Sequence, residues 1–226
     1  MNQKKDSGNR EWALDIIIAL RRAIEDMPPT MSEVIVKEYK KDSFLILISC
    51  LLSLRNKDSS TLPISKKLFS IAKTPSQILS LPISKLENLI FSIGFYKHKS
   101  KVLHSVSQEI LDRFGGKVPK TRQELLSIKG IGPKTANLVL GMAFDIPAIC
   151  VDVHVHRISN RLGLIKTKTP EETEKALMKI LPKENWIEWN KLLVLWGQNL
   201  CLPVSPLCSK CPIYNLCNRV GVKKNR

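Results

Sequence analysis

A lysine and an aspartate are the residues of this sequence best suited to covalent chemistry. Lys134 follows a glycine-rich turn, and Asp152 lies eighteen positions further along the chain. An amine attacks an electrophilic carbon only when it is neutral, and a lysine at a helix N-terminus in a partly desolvated pocket has its charged form disfavoured. A nearby carboxylate stabilises developing positive charge and assists proton transfer. Lys134 is therefore a candidate nucleophile, and Asp152 a candidate catalytic partner.

Both residues also have ordinary structural interpretations. Most lysines are solvated, and Asp152 is a natural N-cap for a helix that runs through His154 to Leu162. The cap and the chemical role of Asp152 are compatible. His154 and His156 alternate with valines in that helix and so point to different faces, which favours structural histidines over ligands.

The cysteines are distributed unevenly along the sequence. Four of them are separated by six, two and five residues: Cys201, Cys208, Cys211 and Cys217. Four thiolates so close hold a tetrahedral zinc ion or an iron–sulfur cluster, and spacing alone does not choose between them. Cys50 and Cys150 lie singly in apolar surroundings. This distribution predicts one metal site and two core residues, not the disulfide framework of a secreted protein.

A glycine-rich turn must position Lys134. Gly130 and Gly132 flank Ile131, and Pro133 suits the first turn of the helix that follows. The pattern predicts a helix-hairpin-helix. Its backbone N–H groups can approach a phosphate, because glycine has no Cβ and the second helix has a positive N-terminal end. A Gly-x-Gly turn alone is weak evidence, since tight interhelical turns also use glycine for steric reasons.

Helical patterns dominate the rest of the sequence, and the expected fold class is all-α. Apolar residues recur at helical spacing, without sustained strand-like alternation, in residues 12–24, 44–54, 68–71, 86–93 and 102–114. Further helix starts are marked at Asp58, Thr74, Ser84, Thr121 and Thr169. Gly94 and Gly115 mark helix ends.

The charge balance is strongly basic. The 36 Lys and Arg against 20 Asp and Glu give a net charge of +16, spread along the chain. This excess favours a polyanionic partner, although many basic chains bind no nucleic acid. Arg157 and Arg161, four residues apart, are expected to add to a phosphate-binding surface. No signal peptide precedes the helices, and the longest apolar run, residues 44–54, is too short to span a bilayer, so we expect a cytoplasmic protein without a membrane partner.

Residues 128–137 resemble the helix-hairpin-helix of the endonuclease III family, and residues 151–157 resemble its Val-Asp-Thr-His motif. The lysine-to-aspartate spacing and the cysteine spacing agree with the family as well. The resemblance implies that Lys134 is the nucleophile, that Asp152 is the catalytic aspartate, and that the four cysteines hold a [4Fe-4S] cluster. It also implies a helix-hairpin-helix DNA glycosylase fold. Two helical domains, residues 36–148 and residues 1–35 with 149–226, would place the active site in the cleft between them.

The same resemblance implies a set of DNA-binding residues: Lys129, Gly130, Ile131, Gly132, Arg55 and Phe95. Two of these differ from the family, since Arg55 stands where the family has glutamine and Phe95 where it has leucine. Without the resemblance, Arg55 would be a surface charge and Phe95 a core residue. A further difference is the loop of residues 202–207, which is uncharged where the family has a basic DNA-contacting loop. The basic tail after Cys217 either replaces that loop or is a frayed end.

The implied function is base excision repair of double-stranded DNA that contains damaged pyrimidines or abasic sites. A monomeric DNA glycosylase and AP lyase would excise oxidised pyrimidines through a Schiff base on Lys134 and nick the strand by β-elimination. One alternative is a mismatch-specific thymine or uracil glycosylase of similar size. Another is a non-catalytic helix-hairpin-helix module, against which Lys134 and Asp152 argue. An adenine-mismatch glycosylase typically lacks the lysine and has a large C-terminal domain.

Overall fold

The structure is a computed structural model that describes residues 3–226, with side chains from Gly8 onward. These residues form α-helices, short 3-10 helices and loops, and they include no β-strand. The all-α prediction is confirmed. The α-helices are α1 (Gln3–Ala23), α2 (Met31–Glu38), α3 (Ser43–Ser53), α4 (Asp58–Phe69), α5 (Pro75–Ser80), α6 (Ile83–Leu89), α7 (Tyr96–Phe114), α8 (Arg122–Ser127), α9 (Pro133–Phe144), α10 (Val153–Leu162), α11 (Pro170–Ile180) and α12 (Trp186–Asn199). The 3-10 helices are Lys183–Asn185, Cys208–Lys210 and Tyr214–Leu216.

The chain divides into two compact units. One comprises Pro29–Ile146 and contains α2 to α9; we call it the hairpin unit. The other comprises Met1–Pro28 and Pro147–Arg226 and contains α1, α10, α11 and α12; we call it the terminal unit.

The hairpin unit is built around α3. This helix is apolar on every side, and its residues from Phe44 to Leu52 are all buried. A helix of this composition must be surrounded, and α2, α4, α7 and α9 pack against it. Further helices, α5 and α6, pack on α7, while α8 packs on α9. The core therefore holds the helix that carries Lys134 against the helix that ends just before Arg55.

The terminal unit has its own apolar core. Ala13, Ile16, Ile17 and Leu20 are buried at helical spacing on α1, which packs against α11 and α12. Trp189 and Trp196 of α12 are among the largest fully buried side chains of the described residues. The α10 helix packs against α12 and α11, so this core supports the helix that begins after Asp152.

Most of the helix boundaries marked in the sequence are confirmed. Helices begin at or directly after Asp58, Thr74, Thr121 and Thr169. Gly115 ends α7 in a left-handed conformation with φ 58°. The start at Ser84 is wrong, because Pro82 occupies the cap position and α6 begins at Ile83.

Gly94 does not end a helix either. The α6 helix stops at Leu89, and Gly94 lies in the turn that leads to α7, where its N–H donates to the side chain of Asn56. Within residues 3–226 no helix combines the length and the apolar character needed to cross a membrane.

Candidate active site

The turn between α8 and α9 places its two glycines in different environments. Gly130 has φ +100°, and a Cβ at this position would lie 3.0 Å from Cγ1 of Val102 on α7. Gly132, the N-cap of α9, has φ −95°, and a Cβ there would meet nothing within 4 Å. The backbone and the packing therefore require glycine at 130, whereas the fold does not require it at 132.

Side chains of α7 hold the entry to this turn. Glu109 Oε1 accepts a hydrogen bond from the backbone N–H of Lys129 at 3.1 Å. Arg113 donates to the carbonyl and to the hydroxyl of Ser127 at 3.2 and 2.7 Å. The side chain of Ile131 is buried, with 5% of its surface exposed. These contacts make the turn a fixed part of the hairpin unit.

The surface of the turn is suited to an anion. Lys129, Gly130 and Gly132 are exposed, while Ile131 presents only its backbone because its side chain lies in the core. The first N–H groups of an α-helix have no intrahelical acceptor, and the N-terminus of α9 carries partial positive charge. A phosphate that approached Gly132 would therefore meet free N–H donors and partial positive charge together.

Lys134 is the second residue of α9, and it is exposed. Its exposure agrees with the ordinary interpretation of a solvated lysine. Lys134 lies near Cys50 of α3: burial raises the pKa of the Cys50 thiol to about 12, and the positive charge of Lys134 opposes part of that rise. The packing of α3 against α9 thus brings the charge of Lys134 close to a buried thiol of the same unit.

Asp152 is the N-cap of α10. Its Oδ1 atom accepts hydrogen bonds from the backbone N–H groups of His154 and Val155 at 2.9 and 2.8 Å. The residue is half-buried, and Oδ2 has no hydrogen bond to any other described residue. One carboxylate oxygen thus fixes the side chain, and the other can face a substrate.

The two histidines after Asp152 have protein partners on different sides of α10. Nδ1 of His154 lies 3.1 Å from Nη2 of Arg157. Nδ1 of His156 lies 2.7 Å from Oγ1 of Thr173 on α11. Both contacts fit the structural interpretation of these histidines.

The two arginines of α10 do not project as a phosphate-binding pair, contrary to expectation. Arg157 donates to the carbonyl of Cys201 at 2.8 Å. Arg161 donates to the carbonyls of Leu202 and Pro203, both at 2.6 Å. Helical spacing predicted a shared face correctly, but that face meets backbone carbonyls of the uncharged loop.

The cysteine segment, residues 201–217, brings four thiols near one another. Burial raises the pKa of the Cys211 thiol to about 11, and the other three thiols of the segment add to that rise. Arg161 Nη1 donates to Cys201 Sγ at 3.5 Å, and the backbone N–H of Arg219 donates to Cys217 Sγ at 3.4 Å. Positive charge and N–H donors of this kind stabilise thiolates.

The chemistry of these donors, four thiols with N–H and guanidinium groups beside them, is of the kind that binds an iron–sulfur cluster. Among the described residues, no three His, Cys, Asp or Glu side chains form a group that could hold one metal ion.

The C-terminal tail is hydrogen-bonded to the uncharged loop, and its interpretation as a frayed end is wrong. The backbone N–H of Arg226 donates to the carbonyl of Pro206 at 2.8 Å, and the N–H of Ser209 donates to the carbonyl of Arg226 at 3.0 Å. Basic residues are thereby held beside residues 202–207.

Arg55 and Phe95 lie side by side on the hairpin unit. Both are exposed, Phe95 with 64% of its surface. The Arg55 guanidinium lies 5.9 Å from the centroid of the Phe95 ring, and both residues have positive φ. The interpretation of Phe95 as a core residue is wrong. Sequence reasoning missed Asn56 and Lys99, which contact both the turn at Arg55 and the turn at Phe95. No residue spacing in the sequence indicates these contacts.

Comparison with known proteins identifies the family. Residues 48–183 match the model of the HhH-GPD superfamily base excision DNA repair proteins. The chain belongs to this superfamily. It is 45% identical to the endonuclease III of Thermotoga maritima over 176 residues, which is 78% of this chain and 83% of the relative. It is 39% identical to the endonuclease III of Bacillus subtilis over 184 residues, which is 81% of this chain and 84% of the relative.

Solved structures agree with this assignment. The structure of a non-covalent endonuclease III–DNA complex matches with a TM-score of 0.79 and 32% identity, over 93% of this chain and 95% of the other. A thermostable thymine-DNA glycosylase matches with a TM-score of 0.81 at 24% identity, a likeness that shows the fold alone. The resemblance to the endonuclease III family is confirmed, and as a member the chain is a DNA glycosylase and AP lyase of base excision repair.

Proposed function

We propose that this chain binds double-stranded DNA, excises oxidised pyrimidines, and nicks the strand with Lys134 as its nucleophile. The observation that carries the proposal is the position of Lys134. It is exposed on the first turn of α9, two residues after Gly132, whose missing Cβ leaves open space. A DNA phosphate bound at Gly132 would bring a nucleotide within reach of this amine.

The reaction begins when the neutral amine of Lys134 attacks C1′ of the sugar. A bond forms between Nζ and C1′, and the bond between C1′ and the base breaks, so that the base leaves with the bonding electron pair. The sugar ring then opens: a proton moves from nitrogen to O4′, the bond between C1′ and O4′ breaks with its electron pair on oxygen, and the nitrogen lone pair forms the C=N bond of a Schiff base. Removal of a proton from C2′ then breaks the bond between C3′ and its phosphate, which cuts the strand.

Asp152 supports this reaction through its second carboxylate oxygen. Because Oδ1 is held by two backbone N–H groups, the carboxylate has a fixed orientation and does not reorganise during the reaction. A fixed negative charge stabilises the positive charge that grows on the sugar as the base departs. The N-cap and the catalytic role are thus properties of one side chain.

A DNA duplex bound over the N-terminus of α9 would remove water from the amine of Lys134. Desolvation disfavours the charged form of a lysine, so the bound substrate itself favours the nucleophilic form.

Cys201, Cys208, Cys211 and Cys217 would hold a [4Fe-4S] cluster. When bound, the cluster joins the end of α12 to the C-terminal segment as a structural cross-link. Arg157 and Arg161 hold the loop of residues 201–203 to α10, the helix capped by Asp152. The contribution of these arginines is to connect the cysteine segment to the proposed catalytic aspartate.

Borohydride trapping tests the proposal, because it reduces the Schiff base to a stable amine. The parent protein should form a covalent complex with a duplex that contains an oxidised pyrimidine, and Lys134→Gln should form none. Lys117→Gln, which changes another exposed lysine of the same unit, is the matched control and should behave as the parent. Trapping by Lys134→Gln would overturn the assignment. Activity only on mismatched thymine or uracil would show that the substrate is a mismatch and not an oxidised pyrimidine. Binding of DNA without a nick would show that the chain is a non-catalytic DNA-binding module.

A further inference from the structure

Two adjacent turns of the hairpin unit have strained residues at their tips. Arg55, just after α3, has φ 58°, and Phe95, just before α7, has φ 62°. Residues with a Cβ rarely adopt this left-handed conformation, and they keep it only where the surrounding structure enforces it. The contacts that enforce it must come from the residues around these two turns.

Lys99 provides one set of these contacts. It lies one helical turn beyond Phe95 on α7, where its N–H donates to the Phe95 carbonyl at 2.9 Å. Its Nζ donates to the carbonyl of Leu52 at 2.6 Å and to that of Leu54 at 2.8 Å. One side chain of α7 therefore fixes the backbone that enters Arg55.

Asn56 provides the second set. Its Nδ2 atom donates to the same two carbonyls, those of Leu52 and Leu54, both at 3.1 Å. Its Oδ1 atom accepts from the N–H of Gly94 at 3.0 Å. The amide of Asn56 thus joins the turn at Arg55 to the turn at Phe95, and Lys99 holds the same carbonyls from the other side.

Burial of a lysine at this position carries a desolvation penalty. Only 7% of Lys99 is exposed, and no carboxylate among the described side chains forms an ion pair with it. Burial lowers the pKa of Lys99 to about 8. The carbonyls at the C-terminal end of α3 carry partial negative charge and offset part of this cost. A methionine would fill the space without a desolvation penalty but could not hold either carbonyl.

We infer that Lys99 is a positioning residue, which sets the exposed Arg55–Phe95 pair in the orientation needed to fill the space that a flipped base leaves. This inference rests on the proposed function, in which the pair faces the DNA. An enzyme that acts on a base must extrude it from the stack, and side chains that occupy the gap make extrusion favourable. Filling the gap matters most when a base must leave it, and least at an abasic site.

Two substrates separate these steps. Single-turnover excision of an oxidised pyrimidine needs extrusion of the base, whereas nicking of a preformed abasic site does not. Lys99→Met should lower excision by about tenfold or more, since small displacements of positioning groups cost up to a hundredfold, while abasic nicking should stay within about threefold. Lys99→Arg keeps a buried cation with several donors and should recover part of the lost excision. Lys101→Met changes an exposed lysine of the same helix and should leave both rates unchanged.

A double-mutant cycle keeps the inference testable if Lys99→Met is also less stable. Phe95→Ala should lower excision, and addition of Lys99→Met should lower it by no more than about twofold further, because residues that act through one contact are not additive. Losses that multiply would overturn the inference. Equal losses on both substrates would also overturn it. So would an excision rate of Lys99→Met within twofold of the parent rate, a difference that corresponds to about 0.4 kcal/mol.

The single variants Arg55→Ala and Phe95→Ala identify which idea has failed. If they lower excision and Lys99→Met does not, the positioning role fails and the DNA-facing role of the pair stands. If neither they nor Lys99→Met lower excision, the DNA-facing role fails and the positioning role fails with it. In both cases borohydride trapping through Lys134 reports separately on the proposed chemistry.

Discussion

The guanidinium of Arg55 lies 5.9 Å from the centroid of the Phe95 ring. An arginine at this distance from an aromatic face is attracted by the ring quadrupole, which restricts its orientation. Its outward N–H groups remain donors only, since guanidinium has no acceptor. In the proposed complex with DNA, a donor restricted in this way should discriminate between the bases left unpaired by excision.

Arg55→Gln should therefore change the preference for the opposite base. Guanine offers the O6 acceptor where adenine offers an N6 donor, so arginine should favour guanine by about 1 to 3 kcal/mol if the contact is bidentate. Glutamine both donates and accepts, and should reduce this preference. The measurement is single-turnover excision of one lesion placed opposite guanine and opposite adenine. An unchanged guanine-to-adenine ratio in Arg55→Gln would show that Arg55 does not read the opposite base.

Two substitutions of Asp152 separate capping from catalysis. Asp152→Asn keeps a side-chain oxygen that can accept from the N–H groups of α10, and asparagine is as good an N-cap as aspartate, so stability should change little. Asp152→Ala loses the cap and should cost roughly 0.5 to 2 kcal/mol. Both should lose most base excision while they retain DNA binding. Near-normal turnover by Asp152→Asn would reduce Asp152 to a helix cap; thermal melts and excision rates provide the readouts.

The two glycines of the hairpin should respond differently to alanine. Gly130→Ala introduces strain at φ +100° and a contact with Val102, and should destabilise the protein by roughly 1 to 3 kcal/mol. Gly132→Ala meets open space at an ordinary φ and loses only a glycine N-cap, so it should destabilise the protein by roughly 0.5 to 1 kcal/mol, less than Gly130→Ala. Its DNA affinity should nevertheless fall, because the new methyl group occupies the path of the phosphate. Full affinity in Gly132→Ala would place the phosphate elsewhere.

The cysteine segment makes a compositional prediction. Purified protein should contain about four irons and about four sulfides per chain and absorb visible light. Cys211→Ser should lose iron and sulfide, whereas Cys150→Ala, which changes a buried cysteine outside the segment, should retain them. Stoichiometric zinc without iron, in protein produced with ample iron, would contradict the cluster.

Lys99 predicts how stability depends on pH. Its pKa is about 8 in the folded protein, because burial lowers it from an ordinary value of 10.5. Between these values the folded state has released a proton that the unfolded state still binds, so this residue makes stability rise with pH in that window. The melting temperature of the parent minus that of Lys99→Met should therefore increase from about pH 7 to about pH 10. A constant or falling difference would contradict the buried charge, and Lys101→Met serves as the control.

The sequence predicted those features that depend on neighbouring residues. The turn at Gly130 and Gly132 requires only a local backbone pattern, and the cap of α10 requires only an acceptor two or three positions before its N–H partners. One local signal was overlooked, since Thr30 and Glu33 form a capping box at the start of α2. The α12 helix has no side-chain cap to mark its start.

Contacts between distant residues were beyond the reach of sequence patterns. Lys99 bonds to Leu52 across 47 positions, and Asn56 bonds to Gly94 across 38. In each case one partner is a backbone group, which is present in every residue type, so the sequence does not indicate the contact. Patterns likewise placed Arg161 on a helix face without identifying what that face meets. For Lys134 the sequence left a pocket and a solvated position open, because its exposure depends on which side of α9 packs against α3.

The two units differ in how soon each can fold during synthesis. Residues 29–146 are contiguous, so the hairpin unit has all its helices once this stretch has left the ribosome. The α1 helix must wait for α11 and α12, and Trp12 donates to the carbonyl of Leu216 across 204 positions. At roughly 5 to 20 residues per second, this delay lasts on the order of ten seconds or more. During that time Ile16, Ile17 and Leu20 have no core to enter, so α1 exposes apolar side chains until α11 and α12 have been synthesised.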